Sequence, residues 1–87
     1  MFVYDFSFHS LTAAQSGRSV LQYAGISSQL ARAPKCISVQ GCGYVLQVAQ
    51  EDGPAAAQIL QEQSVAFRRI FRHYDTGRME EAGYDLF

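Results

Sequence analysis

The change of hydrophobic period along the first 25 residues constrains the fold more than any other feature. Phe2, Tyr4, Phe6 and Phe8 alternate with Val3, Asp5 and Ser7, the two-residue period of a strand with one buried face. Ser10 then stands where a helix N-cap belongs, its hydroxyl able to accept from a free backbone N–H. From there Ala13, Gly17, Val20, Leu21 and Ala24 line one face of an amphipathic helix, and Gly25 supplies the left-handed stop. "ISSQLARA", ending at Pro34, reads as a short strand, and "YVLQVAQ" as a second strong one. "EDGP" offers Asp52 as an N-cap with Pro54 in the first turn, and "AAAQILQEQ" continues as a helix. In "SVAFRRIFRHYD" the β-forming residues Val65, Phe67, Ile70, Phe71 and Tyr74 favour a strand over an extension of that helix.

The resulting order, β-α-β-β-α-β, predicts an α+β fold. One antiparallel sheet would carry two helices on one face, a ferredoxin-like sandwich. The chain has 87 residues, the size of one small domain. Residues 1–75 complete the plan and residues 76–87, "TGRMEEAGYDLF", form a C-terminal tail that is either loose or packed back on the sheet.

Charge limits the functional classes. Only 17% of residues are charged and the net charge is −1, so there is no general electrostatic reason to bind nucleic acid or an anionic membrane. "RRIFR", with Arg68, Arg69 and Arg72, is the one basic cluster and reads as a solvated strand face. No apolar run approaches the roughly 18–20 residues that span a bilayer. "MFVYDFSFHS" lacks the basic and apolar regions of a secretory signal. The expected compartment is therefore the reducing cytoplasm, where a permanent disulfide is disfavoured and transient thiol chemistry becomes the interesting option.

Both cysteines fall in "PKCISVQGCGYVLQV". A free cysteine usually behaves as a small buried hydrophobe. Three features set Cys42 apart. It lies between Gly41 and Gly43, where the backbone is permissive and another molecule can approach closely. It precedes a strand, which puts it on a loop rim. Lys35 and Arg32 are near in sequence, and positive charge favours the thiolate. The Cys-x5-Cys spacing is not that of a thioredoxin-type redox pair, and two cysteines do not complete a zinc site. His9 and His73 have no spacing that would align them as further ligands and read as surface or edge residues. Neither a phosphate-binding Gly-x-x-x-x-Gly-Lys-Ser/Thr loop nor a Gly-x-Ser-x-Gly elbow occurs, and no cofactor is implied.

The stretch from Phe6 to Val48 resembles the family of short bacterial proteins described as selenium/sulfur carrier-like. The shared elements are Phe8 and Ser10, Ala14 in the helix, Leu21, and Gly25 with Ile26. Pro34 with Ile37 and Ser38 follow, then Cys42 with Gly43. The resemblance covers roughly residues 2–60. It implies that Cys42 is a carrier nucleophile that takes sulfur or selenium from a desulfurase-type donor protein and passes it to an acceptor protein. Cys36 departs from the family pattern, in which that position is more often basic or acidic. It is a local addition, either a resolving thiol for Cys42 or a packing residue. The competing expectation is a non-catalytic interaction module that assembles through its sheet, as a homodimer, or through the "YDLF" tail.

Overall fold

The computed structural model describes residues 2–32, 43–65 and 67–82. The elements are β1 (Phe2–Phe8), α1 (Leu11–Tyr23), β2 (Ser28–Arg32), β3 (Tyr44–Ala49), α2 (Gly53–Glu62), β4 (Arg69–Tyr74) and β5 (Met79–Glu81). A single 3-10 turn, Gln50–Asp52, leads into α2. The sheet order is β2-β3-β1-β4-β5 and the pairings are antiparallel. With two helices against one antiparallel sheet, this is the ferredoxin-like α+β sandwich expected from the pattern, extended by one strand. The extension is β5: after the turn that contains Asp75 and Gly77, residues Met79–Glu81 pair with β4. Ala82 is also tied in, its N–H donating to the Ile70 carbonyl at 2.8 Å.

The core lies between helices and sheet. Tyr4, Phe6 and Phe8 of β1, Leu46 and Val48 of β3 and Ile70 of β4 meet Ala14 and Leu21 of α1 and Ala56, Ala57 and Leu60 of α2. Small residues hold the helices close to the sheet. Gly53, the first residue of α2, sits so tightly on the Tyr4 ring that an added Cβ would overlap it. The buried stripe of α1 is Ala14, Gly17 and Leu21. Ala13 and Val20 are half-buried and Ala24 is exposed, so the stripe is turned by about one residue from the sequence expectation.

Two helix ends use the same device. At the end of α1, the Ile26 N–H reaches the Leu21 carbonyl at 2.8 Å and Gly25 adopts φ +86°, a Schellman stop. At the end of α2, the Val65 N–H bonds the Leu60 carbonyl at 2.9 Å, but the left-handed position, φ 59°, is held by Ser64. Ser10 caps α1 as expected, accepting from the Ala13 N–H at 3.1 Å. Asp52 stands at the start of α2 but makes no capping bond, because the preceding 3-10 turn leaves its backbone in the helical region.

The expectation that β1 has one buried face is corrected. Asp5 and Ser7, on the face away from the helices, are buried as well. β1 is the central strand, flanked by β3 and β4.

Candidate functional site

Of the residues expected to form the thiol site, Lys35, Cys36, Gly41 and Cys42 lie outside the described residues. Arg32 and Gly43 are described. Arg32 is the exposed last residue of β2, and Gly43 is half-buried directly before β3. The register pairs Arg32 with Tyr44. The segment that carries both cysteines therefore leaves one strand and enters its hydrogen-bonded neighbour at the same end of the sheet.

A second cluster was not foreseen. On the helix-free face, Asp5 is fully buried and its Oδ2 lies 3.0 Å from Nδ1 of His73. Sheet register makes this contact. Asp5 faces Gln47 on β3 and Phe71 on β4, and His73 is two residues beyond Phe71 on the same face. His73 is thus no edge residue, since β4 runs between β1 and β5, and its side chain is 29% exposed. Burial pushes the Asp5 carboxyl above the usual carboxylate range. The hydrogen bond and charge of His73, and more weakly the Gln47 amide, pull it back. Oδ1 of Asp5 has no hydrogen bond of good geometry. The signal available in the sequence was an aspartate in the middle of an aromatic strand, Tyr4-Asp5-Phe6.

Beside this pair lies a groove of about 350 Å³ that reaches the β4–β5 turn. Phe2 and Val3 of β1, Gln47 of β3, His73 and Tyr74 of β4 and Asp75 and Gly77 of the turn line it, with Val3, Gln47 and His73 on the helix-free face of the sheet. The Phe2 and Tyr74 rings, 5.2 Å apart between centroids, lie on the other face, where Phe2 also meets Tyr4.

The basic cluster divides. Arg68 and Arg69 are exposed. The Arg72 guanidinium lies 6.0 Å from the centre of the Phe2 ring and 3.5 Å from Glu80, which also accepts from Arg78 at 2.6 Å. The Arg78 hydrogen bond holds the Glu80 carboxyl below its ordinary range. These surface pairs contribute little to stability, but they tie β5 to β4. Among the described residues no group of three or more His, Cys, Asp or Glu is arranged to hold a metal ion. Among the described residues no helix is long and apolar enough to cross a membrane.

The fold is a small ferredoxin-like sandwich with its cysteine-bearing segment between β2 and β3 in sequence. The family model described as "Putative Se/S carrier protein-like" matches residues 4–72. The chain belongs to this family. Comparison with curated proteins and with solved structures gave no significant match.

Proposed function

We propose that the protein is a sulfur or selenium carrier whose loading atom is Sγ of Cys42. The observation that carries this reading is the family match, which spans residues 4–72 and with them the whole cysteine segment. The pairing of Arg32 with Tyr44 supports it, because the described residues on either side of the cysteine segment lie on adjacent, hydrogen-bonded strands. Arg32 and Lys35 bring positive charge near the segment in sequence, the kind of neighbour that activates a thiol when it lies beside it.

In the loading step the Cys42 thiolate attacks the terminal sulfur of a donor protein's cysteine persulfide. A new S–S bond forms on Cys42, the donor's S–S bond breaks, and the donor leaves as its own thiolate. With selenium the product is a selenylsulfide. In delivery, a nucleophile of the acceptor takes the terminal atom and the Cys42 thiolate is restored. A Cys36 thiolate within reach offers a second exit. Its attack on Sγ of Cys42 forms the Cys36–Cys42 disulfide and expels hydrosulfide, after which a dithiol reductant is needed to reset the carrier.

The experiment is a two-stage relay. The chain is incubated with a cysteine desulfurase and radiolabelled cysteine, repurified, and treated with a thiol reductant. A carrier retains label through repurification and releases it on reduction, and Cys42→Ala retains none. A wild-type chain that emerges without label has not acted as a carrier, and the interaction-module reading then takes its place.

A further inference from the structure

We infer that the end of the sheet where the cysteine segment leaves β2 and enters β3 is a docking surface for a donor protein with an acidic patch. The inference rests on the carrier reading, in which a protein donor brings its persulfide to Cys42. One peptide bond joins Cys42 to Gly43, directly before β3. A donor in contact with that thiol therefore also meets the residues on this end.

Register identifies those residues. Arg32 pairs with Tyr44 and Tyr44 with Phe8, while Arg69 pairs with Ser7. The Arg68 N–H donates to the Ser7 carbonyl at 2.7 Å, which fixes Arg68 beside them. Arg32, Arg68 and Arg69 are exposed, and no ion pair among the described residues involves any of them. Leu11, which opens α1 just after β1, is 40% exposed and adds an apolar contact. Glu62, the last residue of α2, is the one described acid that the chain returns toward this end.

The opposite end carries the other sign. Glu51 and Asp52 follow Ala49, which pairs with Val3, and Asp75 follows Tyr74, which pairs with Phe2. There Arg72 and Arg78 already share Glu80. Of the described arginines without a carboxylate partner, only Arg18 on α1 lies away from the cysteine end.

The scale suits a protein. Arg32 and Arg69 stand on β2 and β4, with β3 and β1 between them. Three strand spacings make about 15 Å, within one patch of a standard interface of about 800 Å² on each partner. Arginine is enriched in such patches. Nucleic acid fits less well, because three arginines on a net acidic chain neutralise few phosphates.

The test uses the full chain and a cysteine desulfurase whose persulfide-bearing cysteine is replaced by alanine, so that it docks without transferring sulfur. At low salt it should shift the amide signals of Leu11, Arg32 and Arg69 and leave those of Asp75 and Gly77 in place. Added salt should weaken the complex. Arg68→Glu with Arg69→Glu should weaken it about ten-fold or more. The paired lysine substitutions should keep most of the binding, and Arg18→Glu should change nothing. With the active desulfurase, the same glutamate variant should load label more slowly by a similar factor. Its Cys42 should still react with neutral iodoacetamide at the wild-type rate.

Shifts confined to the Asp75 end, no shifts at all, or a glutamate variant that binds like the wild type would overturn the proposal. So would capture of a single-stranded RNA oligonucleotide at physiological salt, lost in the glutamate variant, which would assign the surface to nucleic acid. Salt-sensitive self-association lost in that variant would assign it to a second copy instead. Cys42→Ala should dock as the wild type does while holding no label in the relay. Docking without labelling of the wild type defeats the carrier reading alone, and labelling that ignores the arginine substitutions defeats the docking surface alone.

Discussion

Asp5 shows how a single residue couples sequence, packing and pH. Its carboxyl is buried and raised above the ordinary carboxylate range, with desolvation the largest cause. For an acid with a raised folded-state pKa, the protonated form favours folding. Its stabilising contribution is complete below the unfolded value of about 3.9 and is lost as pH rises through the raised folded value. The groups that bear on it are His73 from β4 and Gln47 from β3, with Arg69 and Glu81 further along the same face. His73 opposes the loss by pairing with the carboxylate. Asp5→Asn keeps an acceptor for the His73 N–H and removes the charge. Denaturant unfolding between pH 4 and pH 7 should show the variant gaining on the wild type as pH rises. A wild type that instead gains on the variant would mean that pairing with His73 outweighs burial.

This contact was out of reach of sequence reasoning because the two residues are 68 apart and only the β1–β4 register joins them. His73 taken alone looks like an edge histidine. Its partner strand β5 is a three-residue, largely polar segment, Met79-Glu80-Glu81, with no hydrophobic alternation. Pairing with β4 creates that strand, and local propensity gives no sign of it.

At the scale of elements, the helix boundaries were legible where chemistry fixes them. Ser10 and Gly25 bracket α1 as their side-chain and backbone properties demand. Ser10→Ala should cost about 1 kcal/mol in chemical unfolding, through loss of the bond to the Ala13 N–H. Ser64 does for α2 what Gly25 does for α1, against its own steric preference. Left-handed backbone costs a non-glycine residue roughly 1 kcal/mol, partly offset by the greater freedom of glycine in the unfolded chain. Ser64→Gly should therefore raise stability by about 0.5 kcal/mol, and a lower melting temperature would show that the Ser64 side chain makes a contact worth more than the strain. The close seat of Gly53 on Tyr4 carries the opposite expectation. Gly53→Ala should destabilise by about 1–3 kcal/mol, the usual result of overpacking. An unchanged melting temperature would require Tyr4 to move freely, which its burial in the core argues against.

At the scale of the whole molecule, the ferredoxin-like plan followed from the alternation between strand and helix periods, because each period fixes which face is buried. The cysteine segment followed from different information. The Gly41-Cys42-Gly43 triplet and the ordered family motifs identified it, and the fold adds a frame in which β2 and β3 present its two ends side by side. Its second face, with Asp5, Val45 and Phe71 already buried, leaves less open apolar sheet for self-association than a one-sided strand pattern implied.

The most direct measurement of the central claim is intact-protein mass spectrometry after exposure to a cysteine desulfurase and cysteine, on wild type, Cys42→Ala and Cys36→Ala in parallel. A carrier thiol at Cys42 predicts a reducible gain of one sulfur atom on the wild type and on Cys36→Ala, and none on Cys42→Ala. A gain that persists in Cys42→Ala, or its absence from the wild type, would contradict the assignment.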